Sequence, residues 1–155
     1  MSRRSNRALW ALLCVLVISV AGCGGGSTLS KSAYRAKLKK ALVTDLGAAL
    51  RPLQTSASAK GYEKLVSAAQ PKLRKIADDL NSVKPPKEVQ HDNDLIVRSL
   101  KKFADALTPL KEAAKKHDKA AIQAAIQKIG TSQFTKDLRT AVADLTKKGY
   151  APTAG

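Results

Sequence analysis

Few side chains in this 155-residue sequence carry recognisable chemistry. The soft nucleophiles and ligands are Cys14, Cys23, His91 and His117, and Met1 is the only methionine. A copper site needs clusters of His, Met and Cys, and these residues are scattered. There is no Cys-x-x-Cys-His for covalent haem. Di-metal helical proteins need inward glutamates and several Glu-x-x-His pairs. Here the glutamates are Glu63, Glu88 and Glu112, and only Glu88 has a histidine three residues on, His91. No Gly-x-Ser-x-Gly elbow presents a serine nucleophile. Gly24-Gly25-Gly26 lacks the Lys-Ser or Lys-Thr that ends a phosphate-binding loop. Asp45, Asp105, Asp137 and Asp144 read as ordinary partners for lysine, and nothing selects two of them as a catalytic acid and base. The chain is therefore expected not to be an enzyme and to need no cofactor.

Cys23 differs from the rest because of its setting. Arg3, Arg4 and Arg7 precede an apolar run from Ala8 to Ala21, and the small pair Ala21-Gly22 leads directly into Cys23. A basic start, an apolar stretch too short to span a bilayer comfortably and small residues at its end are the marks of an export signal. Gly24-Gly25-Gly26-Ser27 then reads as a flexible tether. Val20-Ala21-Gly22-Cys23 closely resembles the lipobox of bacterial lipoproteins. That resemblance implies that the Cys23 thiol is acylated and the chain cut just before it, so that residues 1–22 are a lipoprotein signal peptide. Residues 23–29 are then the lipidated cysteine and its tether. Cys14 would leave with the signal.

Composition constrains the part of the chain beyond Cys23. Lys and Arg number 28 in the whole chain and Asp and Glu 12. Loss of Arg3, Arg4 and Arg7 leaves 25 basic against 12 acidic residues, a formal charge of about +13. Export argues against nucleic acid as the partner of this charge. Anionic lipid head groups, an envelope protein or an anionic cell-wall polymer fit better. With only Cys23 remaining, the exported part cannot form an internal disulfide, although its compartment would permit one. Leucine, alanine and lysine dominate, all residues that lose little rotamer freedom in a helix.

Apolar spacing predicts the elements. Ser30 can cap a helix whose stripe is Tyr34, Leu38, Leu42, Leu46, Ala49 and Leu53, and Pro52 should end or bend it near Leu50. A second stripe runs through Tyr62, Leu65, Val66, Ala69, Leu73, Ile76, Ala77 and Leu80, keeping phase across Pro71, which favours a kink over a split. Pro85-Pro86 stop it and open a third helix, with Val89, Leu95, Ile96, Leu100, Phe103, Leu107, Leu110 and Ala114 on its buried face and Pro109 inside it. After a break near Lys116-His117-Asp118, Asp118 can cap a last segment carrying Ile122, Ala125, Ile126, Ile129, Phe134, Leu138, Ala141, Val142 and Leu145, interrupted by Gly130-Thr131-Ser132 and stopped by Gly149. Residues 150–155 read as a loose tail.

Four amphipathic segments joined by short links predict an all-α fold, an irregular antiparallel up-down four-helix bundle with proline kinks over residues 30–149. The whole resembles the small, uncharacterised helical lipoproteins of high-GC Gram-positive bacteria, through the lipobox, the Ala/Leu-rich amphipathic repeats and the Pro85-Pro86 link followed by His91 and Leu95. The resemblance implies a lipid anchor in the outer leaflet of the plasma membrane and brings no activity. The expected function is a lipid-anchored, basic binding or structural module on the extracytoplasmic face of the cell membrane. The alternatives are a metal- or haem-handling bundle, which requires His91 and His117 to converge, and a binder of small apolar ligands. Oligomeric state is not readable from the sequence.

Overall fold

The structure is a computed structural model that describes residues 27–55 and 59–151. The expected signal peptide, Cys23, the first part of the tether and the end of the tail lie outside the described residues. The all-α expectation holds among the described residues, where no strand occurs.

Helix α1, Lys31–Leu38, passes without a break through a π-helical segment, Lys39–Asp45, into α2, Leu46–Thr55. Ser30 begins it as expected, its Oγ accepting from the Ala33 amide at 3.3 Å. The π segment follows from the apolar spacing. Tyr34, Leu38, Leu42 and Leu46 recur at steps of four, and each such step overshoots one α-helical turn by about 40°. By Leu46 an α-helix would have turned its stripe about 120° away from the core. Wider winding, with the Leu46 amide bonding back to Ala41, removes that drift. Leu42 and Leu46 then pack on the same core as buried Tyr34 and Leu38. Pro52 does not end the helix near Leu50; it sits inside α2, which runs on to Thr55.

Helix α3, Ala59–Asn81, continues unbroken through Pro71. A single 3-10 turn, Lys87–Val89, leads into α4, Gln90–Lys115, with Pro109 inside it. These two long helices are antiparallel and make the most extensive contact in the fold. Their register is marked by Asn93 against Leu80, Lys101 against Asp78 (3.0 Å) and Arg74 against Asp105 (2.8 Å). Gln70, just before Pro71, donates to the Ala104 carbonyl and to Thr108 Oγ1, both at 2.9 Å. Thr108 precedes Pro109, so the two proline sites lie at one level of the bundle and are tied together by a side chain.

The expected count of four helices is wrong. With the α1–π–α2 rod taken as one, five helices are present among the described residues, because the last segment is two: α5, Lys119–Thr131, and α6, Gln133–Lys147. Gly130 stays helical and Ser132 makes the break, with φ −65° and ψ 154°. Its hydroxyl donates to the Ile129 carbonyl (2.7 Å), while its Oγ accepts from the Thr135 amide (3.3 Å). One serine thus closes α5 and caps α6. Both helices pack on α4, and they touch each other little. Helix α4 is the central element, with Ile96, Leu100, Leu107 and Leu110 buried against Leu73, Leu80 and Leu145.

The turn between α4 and α5 falls at the expected break near Lys116-His117-Asp118, and His117 reverses the chain there. The His117 amide donates to Ala114 (3.1 Å) and the Asp118 amide to Ala113 (3.0 Å), a Schellman-type close. It requires His117 at φ 54°, a conformation that suits glycine. Asp118 then caps α5 as expected, accepting from the Ala121 amide at 2.9 Å. His117→Gly is expected to stabilise the fold by about 1 kcal/mol, read as a higher urea midpoint with an unchanged m-value.

Candidate functional site

The pole at which the chain enters the bundle holds a dense set of polar contacts. Leu29 is fixed there by its amide, which donates to the Lys84 carbonyl at 2.8 Å. The last turn of α6 arrives at the same place and closes on Gly149, φ 74°, with the Gly149 amide on Thr146 and the Tyr150 amide on Leu145. That turn sends Tyr150 back into the core, where it is 1 % exposed. The tail expected from residue 150 therefore excludes Tyr150. Its ring meets Tyr34 edge-on, centroids 5.9 Å apart, and Lys31 Nζ lies 4.7 Å from its centroid. Lys31 Nζ also donates to the Lys148 carbonyl at 2.9 Å. A Cβ at position 149 would lie 3.0 Å from that ammonium, so glycine suits both the φ and the close approach.

Four elements are joined by this network. Tyr34, from α1, donates to Asn93 Oδ1 at 3.0 Å, and Asn93 Nδ2 donates to the Leu80 carbonyl at 3.4 Å. Lys148 donates to Asp92 Oδ2 (2.7 Å) and to the Glu88 carbonyl (2.9 Å). The Tyr150 hydroxyl donates to Glu88 Oε1 at 2.5 Å. Asp92 and Asn93 are buried on the inner face of α4 and fully engaged; among the described residues no buried side-chain nitrogen or oxygen lacks a partner. Such a set of closed hydrogen bonds fastens the elements together.

The electrostatics follow from these bonds. Burial raises the Tyr34 phenol, helped by the nearby Asp92 and Asp94 charges. The hydrogen bond to Glu88 pushes Tyr150 up to about 12. The same bond lowers Glu88, assisted by a backbone hydrogen bond and by the Lys31 and Lys148 charges. A lowered carboxyl stabilises the fold above its ordinary value of 4.5 and loses that contribution as pH falls through its folded value. Raised phenols stabilise the fold below 10 and lose the contribution as pH climbs through their folded values. Stability is therefore expected to be flat near neutrality. On the alkaline side it should fall from about pH 10, with phenolate absorbance of Tyr34 and Tyr150 appearing together with unfolding.

The sequence-predicted candidates do not converge here. Cys23 lies outside the described residues. Glu88 is in the network through Tyr150, while its neighbour His91 is exposed near the start of α4. His117 follows the other end of α4, about 39 Å along the axis at 1.5 Å per residue. The convergence required of a histidine-based metal or haem site is not found. No group of three potential metal ligands occurs among the described residues. Asp45, Asp105 and Asp144 pair with Lys40 (2.6 Å), Arg74 (2.8 Å) and Lys147 (3.3 Å), and Asp137 accepts from Gln133 (2.6 Å). These exposed pairs each contribute at most about 1 kcal/mol, and they occupy the acids while leaving the cations in excess. Sequence reasoning missed Asp92, Asn93, Lys148 and Tyr150. A signal existed for two of them: positions 92 and 93 fall on the same helical face as Val89, Ile96 and Leu100.

No helix among the described residues is long and apolar enough to cross a membrane. No family model matches the chain, and comparison with curated proteins and with solved structures finds no relative.

Proposed function

We propose that this protein is a lipid-anchored, basic helical binding or structural module held at the outer face of the plasma membrane through Cys23. The observation that carries the reading is the sequence Val20-Ala21-Gly22-Cys23 after a basic and then apolar start, followed by a Gly/Ser tether. The geometry of the tethered pole supports it. A chain pulled at residue 23 transmits force to Leu29, and Leu29, Lys31 and Tyr34 are the residues bonded across to Lys84, Lys148 and Asn93. Lys31, Lys84, Lys87, Lys147 and Lys148 are exposed at that same pole. Each basic side chain near an anionic surface contributes up to about 1 kcal/mol. Acyl chains on Cys23 already anchor the protein, so the lysines set its orientation more than its affinity.

The test is fractionation of cells with mass measurement of the mature chain. The wild-type protein is expected in the membrane fraction, beginning at Cys23 and carrying acyl mass. Cys23→Ala should abolish both the acyl mass and the cleavage before residue 23. An intact, unmodified polypeptide in the cytosol would refute the anchor.

A further inference from the structure

Away from the tethered pole, α4, α5 and α6 enclose an open cleft of about 250 Å³. Its apolar wall is Ala106 and Pro109 from α4, Ala125 and Ile129 from α5, and Phe134 from α6. The cleft exists because Ser132 sends α5 and α6 apart. Helix α5 buries no residue fully, its Ile122, Ala125 and Ile129 are only partly covered, and Ile126 is 44 % exposed. Phe134 is held in place by stacking on Phe103, centroids 6.0 Å apart.

Three polar residues complete the lining, and they differ in what they have left to offer. Ser132 spends its hydroxyl proton on the Ile129 carbonyl. The Asp105 carboxylate is engaged by Arg74 at 2.8 Å. Lys128 has no carboxylate within ion-pair distance among the described residues, so it is the one uncommitted charge in the lining. An apolar trough with a single available ammonium is complementary to a hydrocarbon chain that ends in an anion.

We propose that this cleft binds a single-chain carboxylate amphiphile, a medium-chain fatty acid, with its tail along Ala106, Pro109, Ala125 and Phe134 and its carboxylate on Lys128. The volume holds roughly eight methylene-sized groups at the ~30 Å³ a water molecule occupies in the liquid. Affinity should therefore rise up to about eight to ten carbons, by roughly two- to fourfold per methylene, and then level off as the chain emerges from the open side. The site does not depend on acylation of Cys23, and the two readings fail separately: fractionation reads the anchor, and labelling at the cleft reads the site.

The experiment uses the full chain in phosphatidylcholine vesicles, a photoactivatable decanoic acid as probe, and peptide mapping of the label. Label is expected within residues 105–109 and 125–134, displaced by decanoate and at least about tenfold less well by decylamine. Lys128→Glu, an exposed change that leaves packing intact, should reduce labelling about tenfold or more, while Lys72→Glu on α3 leaves it unchanged. Ala125→Phe, which fills the trough, should abolish it with helicity retained. Label spread evenly over the helices, or equal displacement by decylamine, overturns the proposal. So does labelling that appears only in Cys23→Ala, since the occupant is then the protein's own acyl chain.

Discussion

Tyr150→Ala is expected to lower the melting temperature by roughly 10 °C or more, whereas Tyr150→Phe should cost only a fraction of that. The residue lies beyond the last helix, where truncation is usually tolerated. Its position in the fold reverses that expectation. The Schellman-type turn at Gly149 directs its side chain inward, where it is among the largest fully buried groups. Alanine there would leave a cavity bounded by Tyr34 and remove the surface on which Lys31 rests. It would also strip Glu88 of its hydroxyl donor. Phenylalanine keeps the ring contacts and loses only that hydroxyl. The comparison by thermal unfolding separates packing from hydrogen bonding, and a similar drop for both variants would show that the Glu88 bond, not the ring, holds the pole together.

How much of this was legible depends on which physical signal each element carries. The apolar stripes placed the helices because burial follows the helical period, and the caps at Ser30 and Asp118 were readable because short polar side chains at those places have one obvious use. The π segment was present in the sequence as repeated steps of four, although only the requirement to keep Tyr34 and Leu46 on one core makes those steps decisive. The split at Ser132 was readable only as an interruption. Whether such an interruption bends or breaks a helix depends on tertiary contacts of α5 and α6 with α4, which local spacing does not encode. The break near Lys116-His117-Asp118 was legible, but not that His117 would take a positive φ, a conformation histidine adopts more often than most non-glycine residues. Lysine and aspartate pairs brought together across 56 residues, such as Asp92 and Lys148, are invisible to any pattern read along the chain.

That same pair makes the second large prediction. Lys148→Met is expected to destabilise the protein by about 2 kcal/mol in urea unfolding, far more than loss of a typical surface lysine. The Asp92 side chain is 3 % exposed and the Lys148 side chain 40 %. Removing one partner of a fully buried pair costs about 3–5 kcal/mol, because a buried charge is left uncompensated. The exposed side of Lys148 lets water replace part of the lost contact, which brings the expected figure toward the lower value. Lys148 also satisfies the Glu88 carbonyl, so its loss affects the 3-10 turn that leads into α4. The double variant Asp92→Leu with Lys148→Met should recover most of the lost stability, since an apolar side chain at position 92 faces the same interior as Ile96 and Val89. If the double variant is as unstable as Lys148→Met alone, the damage comes from the Glu88 carbonyl and the turn. A recovered double variant would instead assign the pair its role: aspartate on the inner face of α4 ties the end of α6 to the pole at which the chain enters the bundle, where an apolar residue would bury as well and hold nothing in register.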